Sequence, residues 1–352
     1  MDKLHVAYSS ALNSIGGDSA MTSLAYRAGL SGVSESGIIT SRNQHIQLHT
    51  VPEEALDVID SDASLNAYSN RLTQMCHYGI GQILEISKLR ASVPLFLALP
   101  KWPPMKQSFP YAKRVFNAVL KKWPDQLSTQ ESRLFTAGRI GGANAIDYAF
   151  RYIASTQAEL VMVGGVDSYS ALGLLACLEQ EKRLLLPGSP DGFIPGEGAG
   201  FILLASGQLA HRLKKKWPVV YRPGFGSEPG HLYSDDNCMG DGMTDAVCKA
   251  AKLGLAETET VSTLHLSMNG EQYWSKELGI SRIRCARYFS EDIDVEHIAQ
   301  SVGDLGAAYV PTVLAMYQES QADNRSRKKD MILVASDTEE RSAMIIGDSS
   351  YG

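Results

Sequence analysis

The stretch DGFIPGEGAGFILL at positions 191–204 limits the possible folds more than any other part of the chain. It holds four glycines, Gly192, Gly196, Gly198 and Gly200, and then becomes continuously apolar. Glycine allows positive φ and close approach of backbones, so this pattern predicts a loop that enters the core and leads into a buried strand. A dinucleotide fingerprint would have to follow a strand and open a helix, and this stretch opens a strand instead.

The flanking sequence alternates between helical and strand patterns. Apolar residues at three- and four-residue spacing predict helices, and short continuous apolar runs predict strands that are buried on both faces. The predicted helices are 141–155, 170–184, 241–257 and 306–318, and the predicted strands are 158–166, 201–206, 263–268 and the two late runs MILVASD and SAMIIGD. The polar segment 321–330 is predicted to be a loop. This alternation is typical of a layered α/β fold.

Composition narrows the classes of function. A net charge of −6 argues against nucleic-acid binding, which usually needs a basic excess. The cysteine count of five is odd and no CxxC pair occurs, which favours free thiols in a reducing compartment. The sequence has no apolar run of membrane-spanning length and no signal-peptide core at its start. We therefore expect a cytoplasmic protein without membrane insertion.

One pair of histidines has the spacing of possible metal ligands. His45 and His49 in HIQLH are four residues apart and would share one face of a helix. The sequence supplies no third ligand beside them, so the preferred interpretation is two surface histidines. We expect neither a metal nor a cofactor.

The middle of the chain resembles the β-ketoacyl synthases of the thiolase superfamily. In that family a helix, a strand ending in Gly-Gly, a second helix and DGF-xx-GEGAG follow one another at about the spacing seen here. The matching residues are Gly164, Gly165, Asp191, Gly192, Gly196, Glu197, Gly198 and Gly200. The resemblance covers residues 141–206 well. The start of the chain resembles the family only loosely, in LAYRAGLSGV, and the C-terminal third resembles it only in the arrangement of its predicted elements.

This resemblance implies an architecture. The family has a duplicated, five-layered αβαβα fold and usually forms a dimer through its central strands. We expect a first half at 1–206 and a second at 207–352, joined near Trp217 and packed into one compact unit.

The resemblance also implies a reaction, and the residues for it are missing. In the family a cysteine at a helix N-terminus carries the acyl group as a thioester. In the pattern A-C-x-T-G-x-x-A-I, the cysteine position falls on Arg139 in FTAGRIGGANAI. A guanidinium offers no nucleophile. Thr136 is the only nearby hydroxyl in the sequence, and Cys177 is predicted to be buried and inert in the next helix.

The other catalytic positions of the family are replaced as well. The histidine of H-G-T-G-T falls on Ser267, with His265 on the same strand face as a substitute candidate. The histidine of K-S-x-x-G-H-x-x-G-A-A-G falls on Gly303 or Asp304, and the lysine is missing. The late glycine-rich loop, which supplies an oxyanion donor, is replaced by 337–341, an acidic run. We therefore expect no catalytic residues of the family type.

Three functions remain open. The preferred hypothesis is a non-catalytic adaptor that binds a protein partner, in the manner of ketosynthase-like proteins found with type VI secretion effectors. The alternative is a chain-length-factor-like partner of an active ketosynthase; a buried unpaired charge at Arg139 would disfavour an apolar acyl chain. The third is a residual acyltransferase or malonyl decarboxylase, acting on acyl-carrier protein through relocated residues such as His265 or Asp304.

Overall fold

The computed structural model describes residues 3–56, 59, 61–103, 111–320 and 329–348. The strands in this part of the chain are β1 (Lys3–Leu12), β2 (Val33–Ile39), β3 (His45–His49), β4 (Leu95–Leu99), β5 (Arg133–Thr136), β6 (Leu160–Ser168), β7 (Glu197–Ala205), β8 (Val219–Tyr221), β9 (Gly224–Ser227), β10 (Val261–Leu266), β11 (Phe289–Glu296), β12 (Lys329–Ala335) and β13 (Glu340–Gly347). The α-helices are α1 (Ser19–Arg27), α2 (Glu53–Leu56), α3 (Ala67–Ser87), α4 (Ala112–Lys122), α5 (Gly141–Thr156), α6 (Leu172–Gln180), α7 (Gly207–Leu213), α8 (Asp241–Gly254), α9 (Gln272–Arg284), α10 (Ala299–Val302) and α11 (Tyr309–Ser320). Short 3₁₀ turns occupy Gly138–Ile140, Ala286–Tyr288 and Gly306–Ala308.

The main sheet is built from one strand pattern used twice. Its order is β11-β10-β12-β13-β8-β1-β7-β6-β4-β5, with β9 paired to β13. In the first half, β1-β7 and β7-β6 are antiparallel, whereas β6-β4 and β4-β5 are parallel. In the second half, β8-β13 and β13-β12 are antiparallel, whereas β12-β10 and β10-β11 are parallel. The predicted duplication is thus present in the topology.

The hydrophobic clusters arrange these elements in five layers. Apolar residues of α5 and α11 form one cluster with strands from both halves of the sheet, including Ile146, Val310, Val163 and Ile332. Helices α3 and α4 cover the other face of the first half, and α8 and α9 cover the other face of the second. This confirms the predicted αβαβα order, because a sheet face or helix stripe that is apolar must be buried against another layer.

The segment predicted to join the two halves lies at the middle of the main sheet. Trp217 lies between α7 and β8, and β8 pairs antiparallel with the start of β1. The exact division of the chain after residue 206 remains a prediction. No helix among the described residues is both long and apolar enough to cross a membrane.

The glycine-rich stretch differs from its prediction in one respect. Strand β7 starts at Glu197, so Gly198 and Gly200 lie inside it, and none of the four glycines has positive φ. Close approach is what requires them. Gly165 and Gly200 are cross-strand partners; a Cβ on Gly165 would lie 2.0 Å from the Ala307 carbonyl oxygen, and one on Gly200 2.6 Å from the Thr312 nitrogen. We call these two residues the glycine strip; the start of α11 packs on it.

The remaining elements follow the predictions with shifted ends. The helix predicted at 141–155 is α5, and the one predicted at 306–318 is a 3₁₀ turn followed by α11. The helix predicted at 170–184 is shorter, since α6 ends at Gln180, where an αR cap and a positive φ at Lys182 turn the chain. Of the predicted polar loop, 321–328 lies outside the described residues, and 329–330 belong to β12.

Candidate functional site

Arg139 sits at a tight strand-to-helix turn. Strand β5 ends at Thr136, Gly138 turns the chain with φ +57°, and the 3₁₀ turn then leads directly into α5. This places the Arg139 side chain, only 6% exposed, beside the N-terminus of a 16-residue helix. A cation there is opposed by the positive end of the helix dipole. Arg139 is therefore stable only with carboxylates close by.

Two aspartates supply those carboxylates. The Nε of Arg139 donates to both carboxylate oxygens of Asp304, at 3.1 and 3.0 Å, and Nη2 donates to Asp304 Oδ2 at 2.5 Å. On its other side, Nη1 donates to Asp337 Oδ1 at 2.6 Å. The guanidinium also lies over the ring of Trp274, 5.4 Å from the centroid. Arg139 is thus held on three sides.

These contacts continue into a closed ring. Asn269 Nδ2 donates to Asp304 Oδ2 and to Glu271 Oε2, both at 3.0 Å. Arg183 donates to the two oxygens of Glu271 at 2.7 and 2.8 Å. Its Nη1 donates to Asp337 Oδ2 at 2.8 Å. Since Asp337 also accepts from Arg139, the circuit closes. We call Arg139, Asp304, Asn269, Glu271, Arg183 and Asp337 the ion ring.

Asp337 of the ion ring and the two arginines that it contacts, Arg139 and Arg183, favour each other's charged forms. Burial alone would lower the pKa of Arg139, but the charges of Asp304 and Asp337 raise it well above its ordinary value. Burial alone would raise the pKa of Asp337, but Arg139 and Arg183 hold it well below the ordinary range. Buried charges that are paired and fully hydrogen-bonded avoid the large cost of desolvation. The ring therefore holds Arg139 and Arg183 as cations, with the Asp337 carboxylate as the anion between them.

Little space remains beside the ion ring. The adjoining cavity, lined by Arg139, Asp337, Asp167, Tyr169 and neighbouring residues, has a volume of 30 Å³. A buried water needs roughly 10–15 Å³ on this measure, so the cavity holds about two waters. An acyl chain does not fit there.

Asp167 is a titratable group in this cavity wall. Burial, aided by the charge of Asp304, raises its pKa to about 7 against the opposing hydrogen bond from the Ala307 N–H. Such a pKa suits a general acid or base. However, its two oxygens accept from the backbone N–H groups of Ser168 and Ala307, so they face the protein backbone.

No family model matches the sequence. Among solved structures, the chain is similar over its full length to a chain of the ishigamide ketosynthase/chain length factor, with a TM-score of 0.76 at 14% identity, covering 100% of both chains. A chain from a type II PKS acyl-carrier protein in complex with its ketosynthase bound to the hexaketide gives 0.78 at 14% identity, covering 99% of this chain and 100% of that one. The oxazolomycin ketosynthase domain KS7 of Streptomyces albus JA3453 gives 0.76 at 14% identity, covering 100% of this chain and 75% of that one.

This chain has the thiolase-like fold of the ketosynthases. The predicted fold and family resemblance are therefore confirmed at the level of architecture. Within this ketosynthase fold, Arg139 occupies the turn between a strand and the central helix α5, which is where the resemblance put the missing nucleophile.

The structure selects among the residues that were aligned with the missing histidines. Asp304 belongs to the ion ring, whereas Gly303 has φ +69° and packs against the backbone of Gly196. Ser267 does not reach the ring; its Oγ accepts from the Ala335 N–H at 3.0 Å. The residue in contact with the ring is Asn269, two positions further along. The alignment of the family histidine with Ser267 remains a prediction.

The residues that could replace the missing catalytic groups lie away from the ion ring or contact other side chains. His265 Nε2 lies 3.2 Å from Asp330 Oδ2, and the imidazole packs edge-on against Tyr317, away from the ion ring. Cys177 is buried in α6 and its thiol contacts Glu181 Oε1 at 3.2 Å. Thr136 is exposed at the end of β5. None of the five cysteines, all of which lie in the described part of the chain, forms a disulfide.

The ion ring contains three residues that were not predicted. Asn269 followed by Gly270 carried a usable signal, because a shift of two residues places the His-Gly of the ketosynthase loop on this Asn-Gly pair. Arg183 and Glu271 carried none, since a lone charged residue in a loop is usually solvated. Asp337 belongs to the acidic run 337–341, whose sequence indicates charge but not a pairing with Arg139 and Arg183.

The groups that offer metal ligands have other roles. His45 and His49 lie on strand β3, not on a helix, and only His49 is buried. Burial lowers the pKa of His49 to about 4. Glu228, Cys238 and Glu277 place ligand atoms within 4.8 Å of one another. The Glu228 carboxylate accepts backbone N–H groups from the start of α8, and Glu277 is paired with Arg341.

Proposed function

We propose that this chain is a non-catalytic subunit that acts by binding a protein partner, and that the partner is an active ketosynthase, as for a chain length factor. The observation that carries the proposal is the ion ring. It holds a buried, paired guanidinium at the position that the resemblance aligns with the acyl-carrying cysteine, and it leaves a cavity of 30 Å³ beside it.

The ion ring also weighs against residual chemistry. A relocated base would need a free lone pair next to a substrate-sized space. The oxygens of Asp304 accept from Arg139, Asn269 and the Gly306 N–H. His265 is held by Asp330 at a different place in the fold. Neither residue is available at this site, so we give the acyltransferase and decarboxylase hypothesis the lowest rank.

A partner surface is available next to the ring. Strand β5 is the edge strand of the first half-sheet, and its residues Arg133 and Thr136 are exposed. An open edge is a template for pairing with a strand of another chain. Because β5 leads directly into Gly138 and Arg139, a partner that extends the sheet here would also contact the turn that holds the ion ring.

The comparisons favour a ketosynthase as that partner. The similar structures named above are ketosynthases, among them a ketosynthase/chain length factor. The secretion adaptor that we preferred from the sequence has no counterpart among them. We therefore rank the chain-length-factor-like role first and keep protein binding as the feature common to both hypotheses.

The test is co-purification with a neighbour-encoded ketosynthase. The tagged chain should retain that ketosynthase through size-exclusion chromatography, and the double variant Arg133→Glu/Thr136→Glu should lose it, because it adds charge to the pairing edge. The control, Ser275→Glu/Arg282→Glu, makes the same charge change on exposed positions of α9 and should retain the partner. Recovery of the bare chain alone, or equal retention by both double variants, contradicts the proposal.

A further inference from the structure

A second cavity is separate from the ion ring, since none of the ring residues lines it. It is enclosed by α1, α11 and the ends of β10 and β11, and has a volume of 110 Å³. Its walls include Ser23, Ile298, Val313 and Met316. Native interiors have few voids larger than a water molecule, so a mainly apolar cavity of this size is a feature in need of an explanation.

The cavity is reached from the surface. An open groove of 900 Å³ adjoins it and shares Tyr26, Arg27 and Glu296 with its lining. Arg27 and Glu296 carry opposite charges, and the Tyr26 hydroxyl donates to Glu296 Oε2 at 2.5 Å. The entrance therefore has no excess of either charge, which favours an uncharged ligand over an anion or a cation.

One polar group in the wall, the Tyr309 hydroxyl, has unused hydrogen-bonding capacity. The Tyr309 hydroxyl is fully buried and has no hydrogen-bond partner in the described part of the chain. The His265 imidazole, also in the wall, is held through its Nε2 by Asp330. An unsatisfied buried hydroxyl destabilises a protein, and a ligand that pairs with it recovers that loss.

We propose that this cavity binds a small uncharged molecule with an apolar ring or branched body and a single hydroxyl group. An engineered apolar cavity of about 150 Å³ in another protein binds benzene, so 110 Å³ fits a body of roughly six heavy atoms. The apolar body lies against Val313 and Met316, and its hydroxyl pairs with the Tyr309 hydroxyl. This site is independent of the ion ring and of the partner proposed above.

Phenol is the probe, and benzene is its matched control without the hydroxyl. Both are titrated into the full chain while the methyl resonances of Val313, Met316 and Ile298 are followed by NMR. Phenol should shift these methyl signals and bind about fivefold more tightly than benzene, the effect of one net hydrogen bond. Tyr309→Phe should bring the two affinities together.

Two filling variants keep the test informative if one fails to fold. Val313→Phe and Met316→Trp each place a ring in the cavity and should weaken phenol binding at least tenfold. Ile86→Phe adds a ring at an exposed position of α3 and should leave binding unchanged. The proposal is overturned if neither probe shifts the cavity methyls, if a folded filling variant binds phenol as the wild type does, or if phenol shows no advantage over benzene.

Discussion

The glycine strip and the ion ring lie on opposite sides of one short segment, and they follow the ketosynthase pattern to very different degrees. Ala307 packs its carbonyl against Gly165, while the neighbouring Gly306 N–H donates to Asp304 of the ring. The glycines of the strip fit the family pattern residue by residue. The ring residues replace that pattern with ion pairs.

The difference reflects how each region is constrained. Where backbones touch, any Cβ collides, so only glycine fits and the fold requires it. A buried polar site requires only that every charge and donor has a partner. A set of such residues can therefore be exchanged for another balanced set without changing the architecture. The fold can therefore be kept with different sets of side chains at the polar site.

The largest expected effect is on the glycine strip. Gly165→Val would place side-chain atoms within the Ala307 carbonyl, and we expect a loss of more than about 4 kcal/mol in the free energy of unfolding. Gly279→Ala in α9 is the matched control, since a Cβ there meets nothing within 4 Å. It should stabilise the chain by about 0.5–1 kcal/mol through helix propensity. Urea unfolding measures both; equal midpoints would contradict the constraint.

The next effect concerns the ion ring. Asp304→Ala leaves Arg139 with one carboxylate and should cost about 3–5 kcal/mol, as for other buried pairs that lose one partner. The double variant Arg139→Met/Asp304→Leu removes both members and should be clearly more stable than Asp304→Ala. Urea unfolding of the two variants gives the comparison. If the double variant is the less stable of the two, the claim that a balanced set of buried residues can be exchanged for another is contradicted.

A smaller effect is the pH dependence conferred by Asp337. Its pKa is lowered in the folded chain because Arg139 and Arg183 offset the effect of burial. A lowered carboxyl pKa contributes stability that is complete above the ordinary value of about 3.9 and is lost as pH falls towards the folded value. Wild type should exceed Asp337→Asn by about 2 kcal/mol at pH 7, and the gap should narrow below pH 4. A gap that is constant between pH 7 and pH 3 would contradict this assignment.

The sequence allowed prediction of the layers better than of the site. Helix α5 was placed to within one residue because its apolar periodicity is strong. Strand β7 was started four residues late, since glycines carry no apolar side chain to mark a strand. Arg139 and Asp304 could be singled out in the sequence because each aligns with a catalytic position in a ketosynthase motif. Their partners Arg183 and Glu271 were not, because the ring joins distant chain segments whose pairing depends on tertiary structure.

The most direct test of the central claim is intact-mass spectrometry of the purified chain after incubation with acetyl- and malonyl-acyl-carrier protein. We predict that the chain gains no acyl mass and that the malonyl group loses no carbon dioxide, for the wild type and for Arg139→Cys alike, because the remaining ring residues still fill the site. A stable acyl adduct on the wild-type chain, mapped by proteolysis to the segment around Arg139, would contradict the account.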